Sequence, residues 1–272
     1  MAQTLTYIKA TLPGLNLNFP KISWRAYHVW QRNLSAYKKR WLSGVIGNLG
    51  EPIIYLFAFG LGLGYYITKI DGLSYIQFIG PGLVASSVMF AATFECTFGS
   101  YTRMSEQRIF ESMIATPLSI EDVICGEILW GTTKGAFAGG TVLLLLCFLG
   151  LVKSALAIFL LPVIILEGML FASLALTFTS LAKSYDCFSY YFTIFMTPMV
   201  FLSGIFFPLD GLPAWARTAS FFLPLTHVVN MVRPLALGNL SLKMFLDLLL
   251  VALVLILFLI LSLKMMRRRL IK

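Results

Sequence analysis

The chain has 272 residues, 58% of them hydrophobic and 12% charged, about half the charged share of an average soluble domain. That balance excludes an ordinary soluble domain and implies an all-α membrane protein with several spans. The net charge of +9 does not indicate nucleic acid, because seven Lys and Arg with no acid precede Leu42 and five more lie from Lys264 onward, a pattern that orients spans.

In chain order, residues 22–42 come first. They carry Tyr27, Trp30, Leu34, Tyr37 and Trp41 at spacings of three and four, flanked by Arg25, Arg32, Lys38, Lys39 and Arg40. An amphipathic helix lying at headgroup level is predicted, with Pro20 and Ser23 marking its start. A plain basic tail is the alternative, although tails lack regularly spaced aromatics. No cleavable signal peptide is expected, since the first apolar run is followed by others rather than by a small-residue cleavage site.

A bilayer core of about 30 Å needs about 20 apolar residues per helix. Six stretches qualify, at 43–67, 75–100, 123–150, 156–182, 187–208 and 243–265. With the N-terminus inside, 15 Lys and Arg fall on the inner side, against Lys69, Lys153, Arg217, Arg233 and Lys243 on the outer. Both termini are therefore expected to be cytoplasmic. Gly60 and Gly64 have the GxxxG spacing that allows close backbone approach, and Pro52, Pro81, Pro162 and Pro198 predict kinks or helix starts.

Residues 101–122, YTRMSEQRIFESMIATPLSIED, form the longest charged interruption in the middle of the chain and are expected to act as a cytoplasmic lever. As a helix the stretch places Ile109, Phe110, Met113 and Ile114 on one face, with Gln107, Arg108, Glu111 and Ser112 opposite. Arg103 and Glu106 spoil that division. Thr116-Pro117 stops the helix, and Ser119 with Asp122 predicts a capping box opening the next. An ordinary solvated loop is the alternative reading. The other unusual stretch is 198–238, where five prolines and three glycines interrupt an aromatic, apolar sequence. Short helices dipping back into the outer leaflet are predicted, in preference to an exposed loop, because Phe206, Phe207, Trp215, Phe221 and Phe222 need cover.

Cys96, Cys125, Cys147 and Cys187 form no CxxC pair and read as free thiols in apolar runs, with no metal site. No GxxxxGK[ST] occurs, so ATP hydrolysis by this chain is not expected. Two histidines exclude a zinc-protease motif, and GxSxG is absent. Catalysis is poorly supported, although a membrane-embedded transferase using Asp210, Arg217, His227 and Arg233 is one alternative, and a non-transporting scaffold another. Ionisable groups within spans are functional candidates by default. Glu95 and Glu127 could meet beside the lever, or snorkel to water; Lys134 and Glu167 could pair or line a polar path.

Several segments, in order along nearly the whole chain, resemble the permeases of the ABC-2 family of ATP-binding cassette transporters: YIQFIGPGLVASS, ESMIATPLS, FLSGIFFPLDGLPAW and FLPLTHVVNMVRPL. GNLGEPIIYLFAFGLGLG, AATFECTF, GEILWGTTK and the SYD at Ser184 to Asp186 are most similar to the nodulation protein J type, the membrane subunits of lipo-chitooligosaccharide exporters. The resemblance implies a bacterial inner-membrane exporter divided into a tail with interface helix at 1–42 and a transmembrane domain at 43–272. It implies a homodimer that docks two copies of a separate ATPase, with ATP and Mg held by that partner and no cofactor on this chain. Arg103, Glu106, Arg108, Ile109, Phe110, Met113, Ile114 and Pro117 would then belong to the ATPase-coupling region. Phe206, Phe207, Pro208, Trp215, Arg217, His227 and Arg233 would belong to a re-entrant outer gate. The implied cargo is a lipid-linked or acylated oligosaccharide, with a drug or other hydrophobic small molecule as the alternative within the family. Tyr190, Tyr191, Phe192, Phe195, Phe201, Phe206 and Phe207 could line its path, or for the most part simply face lipid.

Overall fold

A long apolar run satisfies its backbone in lipid only by closing its own hydrogen bonds, and the computed structural model is correspondingly helical. It describes residues 23–39, 50, 52–67, 69–70, 72–238 and 241–271. Among these, α1 is Ala26–Lys38, α2 is Pro52–Tyr66, α3 is Tyr75–Glu106 and α4 is Ile109–Ile114. They are followed by α5, Ile120–Phe148, and α6, Ala155–Leu181. The helical run 186–202 is α7, Ala214–Phe221 is α8, Pro224–Leu237 is α9 and Lys243–Leu270 is α10. Four of them, α3, α5, α6 and α10, are long and apolar enough to cross a membrane.

Of the other two expected spans, the first is described only in part and the fifth ends earlier than the sequence predicts. Residues 43–49 of the first lie outside the described residues, and α2 is the short apolar helix that remains. The fifth, expected to run to residue 208, ends at Leu202, because Gly204 turns the chain with φ +79°. At 1.5 Å per residue α7 is roughly 25 Å long, slightly under a full hydrocarbon thickness. The remainder of 198–238 is broken as expected, into a single 3₁₀ turn at Leu209–Gly211, then α8 and α9.

The long helices form a bundle with two differently held ends, in which α5 runs opposite to α3, α6 and α10. A large apolar core, including Phe78, Leu83, Val88, Phe171, Met196 and Val228, fills the middle and one end. A smaller one, including Val29, Cys96, Phe110, Ile124, Phe188 and Met266, fills the end where the basic C-terminus of α10 lies.

Two local predictions are revised. α1 does not cross the bundle at one point, as a helix flat in the headgroup layer would. It follows α5 lengthwise, from Ser23, which donates its amide to Asp122 at 2.9 Å, to Tyr37, whose ring lies 6.4 Å from that of Phe137. That is about 22 Å of α5. Gly126 permits this approach, since a Cβ there would stand 2.5 Å from the Val29 side chain. The stretch 101–116 is also not one helix. α3 continues to Glu106, and Arg108, left-handed at φ +49°, separates it from α4. Arg103 and Glu106 spoiled the amphipathic division because they belong to a different helix.

Candidate functional site

At the basic end, α3 brings Arg103 over two carboxylates. Its guanidinium lies 2.8 Å from Glu95 and 2.6 Å from Glu127. Between Glu95 and Arg103 the helix has π-helical turns at Glu95–Gly99 and Thr102–Glu106. Gly99 lies beneath the pair, and a Cβ there would meet Glu95 Oε1 at 2.6 Å. Glu127, on α5, is fully buried and also accepts hydrogen bonds from Ser100 Oγ at 2.6 Å and Asn33 Nδ2 at 2.8 Å. One carboxylate therefore fastens α1, α3 and α5 together. Nearby on α1, burial lowers the pKa of Arg32 from its ordinary value, against the attraction of Glu127.

Immediately beyond this junction lies α4. Phe110 is fully buried and Met113 nearly so, both in the core at the basic end, while Ile109 and Ile114 are half-buried. Phe110 and Met113 seat α4 on its own bundle. The exposed edge is polar, with Glu106, Gln107, Arg108, Glu111 and Ser112, continuing to Pro117. The predicted capping box opens α5, with Ser119 Oγ accepting from the Asp122 amide at 3.0 Å, and Arg25 of the α1 start donates to the Pro117 carbonyl. Arg267 of α10 pairs with Glu121 at 2.9 Å, so four elements converge around α4.

A cleft of about 520 Å³ opens on the flank of the bundle. α2 contributes Pro52 and Tyr55, α3 contributes Ser86, Ser87, Phe90, Ala91, Phe94 and Glu95, α5 contributes Lys134 and Ala138, and α7 contributes Phe192. The Lys134 ammonium lies 4.0 Å from the centroid of the Tyr37 ring. Burial, with Glu95 nearby, raises the Tyr37 phenol above its ordinary pKa, so this face remains a neutral ring.

Lys134 and Glu167 do not pair. On α5 it is Thr132 that meets α6, at Gly168, and two residues further along a helix is about 200° around its axis. Lys134 therefore faces the cleft. Glu167 is fully buried, and neither of its oxygens accepts a hydrogen bond among the described residues.

At the opposite end the proposed gate residues separate into two groups. Arg233 places its guanidinium 3.9 Å from the Phe78 ring centroid and donates to the carbonyls of Gly204 at 2.7 Å and Phe78 at 3.3 Å. His227 contacts Asp247 at 2.6 Å and the Phe221 carbonyl at 2.8 Å, tying α9 to α10. Phe206 is buried against Phe59 of α2, with rings 5.0 Å apart. Phe207, Trp215 and Arg217 are exposed, with Arg217 donating to the Asp210 carbonyl at 2.7 Å and Pro208 half-buried beside them.

Sequence reasoning missed Asn33, Ser100 and Asp247. The first two are small polar residues with no distinguishing pattern. Asp247 did carry a signal, as the single acid in the last apolar run.

Comparison with known proteins agrees with this architecture. Residues 26–237 match the family model described as ABC-2 type transporter. The chain is 44% identical to Nodulation protein J of Rhizobium leguminosarum bv. trifolii, over 84% of each chain. It is 42% identical to Nodulation protein J of Rhizobium meliloti (strain 1021), over 81% of this chain and 84% of that one. A more distant match is the inner membrane transport permease YadH of Escherichia coli (strain K12), 26% identical over 74% of this chain and 78% of that one. The chain belongs to the ABC-2 type transporter family, whose membrane subunits are transport components rather than enzymes.

Proposed function

We propose that this chain is the permease subunit of an ATP-driven exporter in a bacterial inner membrane. It spans the membrane six times with both termini cytoplasmic, forms a homodimer and docks two copies of an ATPase that holds ATP and Mg. The cargo is a lipid-linked or acylated oligosaccharide. The relatives named Nodulation protein J support an export role of that kind, and the apolar, aromatic cleft suits an acyl chain.

The observation that carries the reading is α4, a short helix anchored by Phe110 and Met113 with a free polar edge, set directly on the Arg103 junction. A force applied to that edge reaches α1, α3 and α5 through one buried carboxylate. The helices with π-helical turns are α2, α3 and α7, spans one, two and five of the proposed topology, and each contributes to the cleft. Such turns are often found at functional sites. Nucleotide-driven movement of α4 can open a path past this cleft only if the ATPase binds the two conformations with different affinity.

The test is co-purification with a candidate ABC ATPase subunit expressed together with this chain. Reversing the exposed edge with Arg108→Glu and Glu111→Arg should abolish capture while leaving the thermal unfolding of the permease close to that of the wild type. Undiminished capture of the ATPase would remove α4 as the docking element.

A further inference from the structure

We propose that the flank cleft binds an anionic amphiphile, with an acidic headgroup on Lys134 and an apolar chain along Phe90, Phe94 and Phe192. This rests on the export reading and adds the charge class of the cargo.

Lys134 is the middle residue of α5, which spans Ile120–Phe148. However the helix is centred on a hydrocarbon core of about 30 Å, this residue stands roughly 7 Å or more inside it. A lysine at that depth is costly unless something answers its charge. Among the described residues no carboxylate lies within ion-pair distance, and the contact it makes is with the Tyr37 ring. Glu95, the acid in the cleft wall, makes its ion pair with Arg103 at 2.8 Å, a cation it shares with Glu127, and none with Lys134. The ammonium keeps donors free toward a cavity whose size is that of a small-ligand pocket.

The remaining wall suits a chain. Phe90 and Phe192 are stacked with centroids 6.4 Å apart, and Phe94 lies 6.3 Å from Phe192. Ser86 and Ser87 donate to the Leu83 carbonyl, at 3.2 and 2.7 Å, which leaves their oxygens as acceptors for hydroxyls of a bound molecule. A resident phospholipid keeps its headgroup outside the hydrocarbon core, whereas Lys134 is placed within it. The occupant is therefore a molecule in passage, and not a fixed annular lipid.

The experiment measures binding of two probes, dodecyl phosphate and the neutral dodecyl maltoside, to the full chain in phosphatidylcholine nanodiscs without ATPase. Dodecyl phosphate should bind saturably and at least about tenfold tighter than the maltoside. Lys134→Gln should remove that preference, Lys134→Arg should keep it, and Phe94→Ala should weaken both probes. Equal affinity for the two probes in the wild type would overturn the proposal without reference to any variant. So would a Lys134→Gln protein that still prefers the phosphate. Adding phosphatidylglycerol to the nanodiscs separates cargo from lipid: an unchanged dodecyl phosphate affinity supports the cargo site, and displacement of the probe overturns it. Because the ATPase is absent, a negative result here leaves the docking result untouched, and failed docking leaves this one standing.

Discussion

Glu127 shows how much one side chain can hold when both its carboxylate oxygens accept hydrogen bonds. It has no exposed surface, and it receives hydrogen bonds from Arg103, Ser100 and Asn33 on two other helices. Removing the charge leaves the guanidinium half-answered and the donors facing an amide that must itself donate. Breaking one partner of a buried pair typically costs about 3–5 kcal/mol. Glu127→Gln is therefore expected to lower stability in a thermal or denaturant unfolding assay by an amount in that range. Glu95→Gln should cost distinctly less, since that carboxylate is partly exposed and makes a single ion-pair contact. The reverse order would mean that Glu95, and not Glu127, is the centre of the junction. A meeting of Glu95 and Glu127 was legible in the sequence as one possibility, but the Arg103 between them and the separation of Lys134 from Glu167 were not. Two residues along α5 decide that Thr132 faces α6 and Lys134 the cleft, and helical phase relative to a neighbouring helix is a tertiary fact.

At the scale of an element, α4 depends on a break and an anchor. Arg108 takes a left-handed conformation, which costs a non-glycine residue about 1–2 kcal/mol. Arg108→Gly should relieve this strain, partly offset by the greater freedom of glycine in the unfolded chain, and Arg108→Val should worsen it. Phe110→Ala, in contrast, empties a fully buried site, for which losses of about 3–5 kcal/mol are usual. Hydrogen exchange of residues 109–114 checks both: protection should persist in Arg108→Gly and collapse in Phe110→Ala. Persisting protection in Phe110→Ala would show that something other than its burial holds α4. The chain announces the end of this element through Thr116-Pro117 and the Ser119 capping box, and those signals are local. Its beginning depends on where α3 stops, and no glycine or proline marks the change at Gln107 and Arg108. The same distinction applies to α7, whose apolar character continues past Leu202 although Gly204 ends the helix. Composition locates spans well, while a single backbone conformation sets their length.

For the molecule as a whole, the question is how two differently built ends communicate. The basic end is held by ion pairs and α4; the other is held by α9, through Arg233 on two carbonyls and His227 on Asp247. His227 joins α9 to α10 by its contacts with the Phe221 carbonyl through Nε2 and with Asp247 through Nδ1. Asp247→Asn disturbs this arrangement and should raise hydrogen exchange in α9 while leaving α1 and α4 as in the wild type. Glu127→Gln should do the opposite. Because no residue is shared between the two clusters, their stability effects in the isolated subunit should add to within about 0.5 kcal/mol. The proposed export cycle needs the ends to become linked when force is applied, and linkage is itself a coupling free energy, of about 1–3 kcal/mol where it operates. In the complex with nucleotide-loaded ATPase, the double variant should therefore depart from additivity by that amount, measured as ATPase-bound unfolding free energies for the four combinations. Additivity in both settings would mean that movement of α4 does not reach α9, and that the cleft opens without participation of the opposite end.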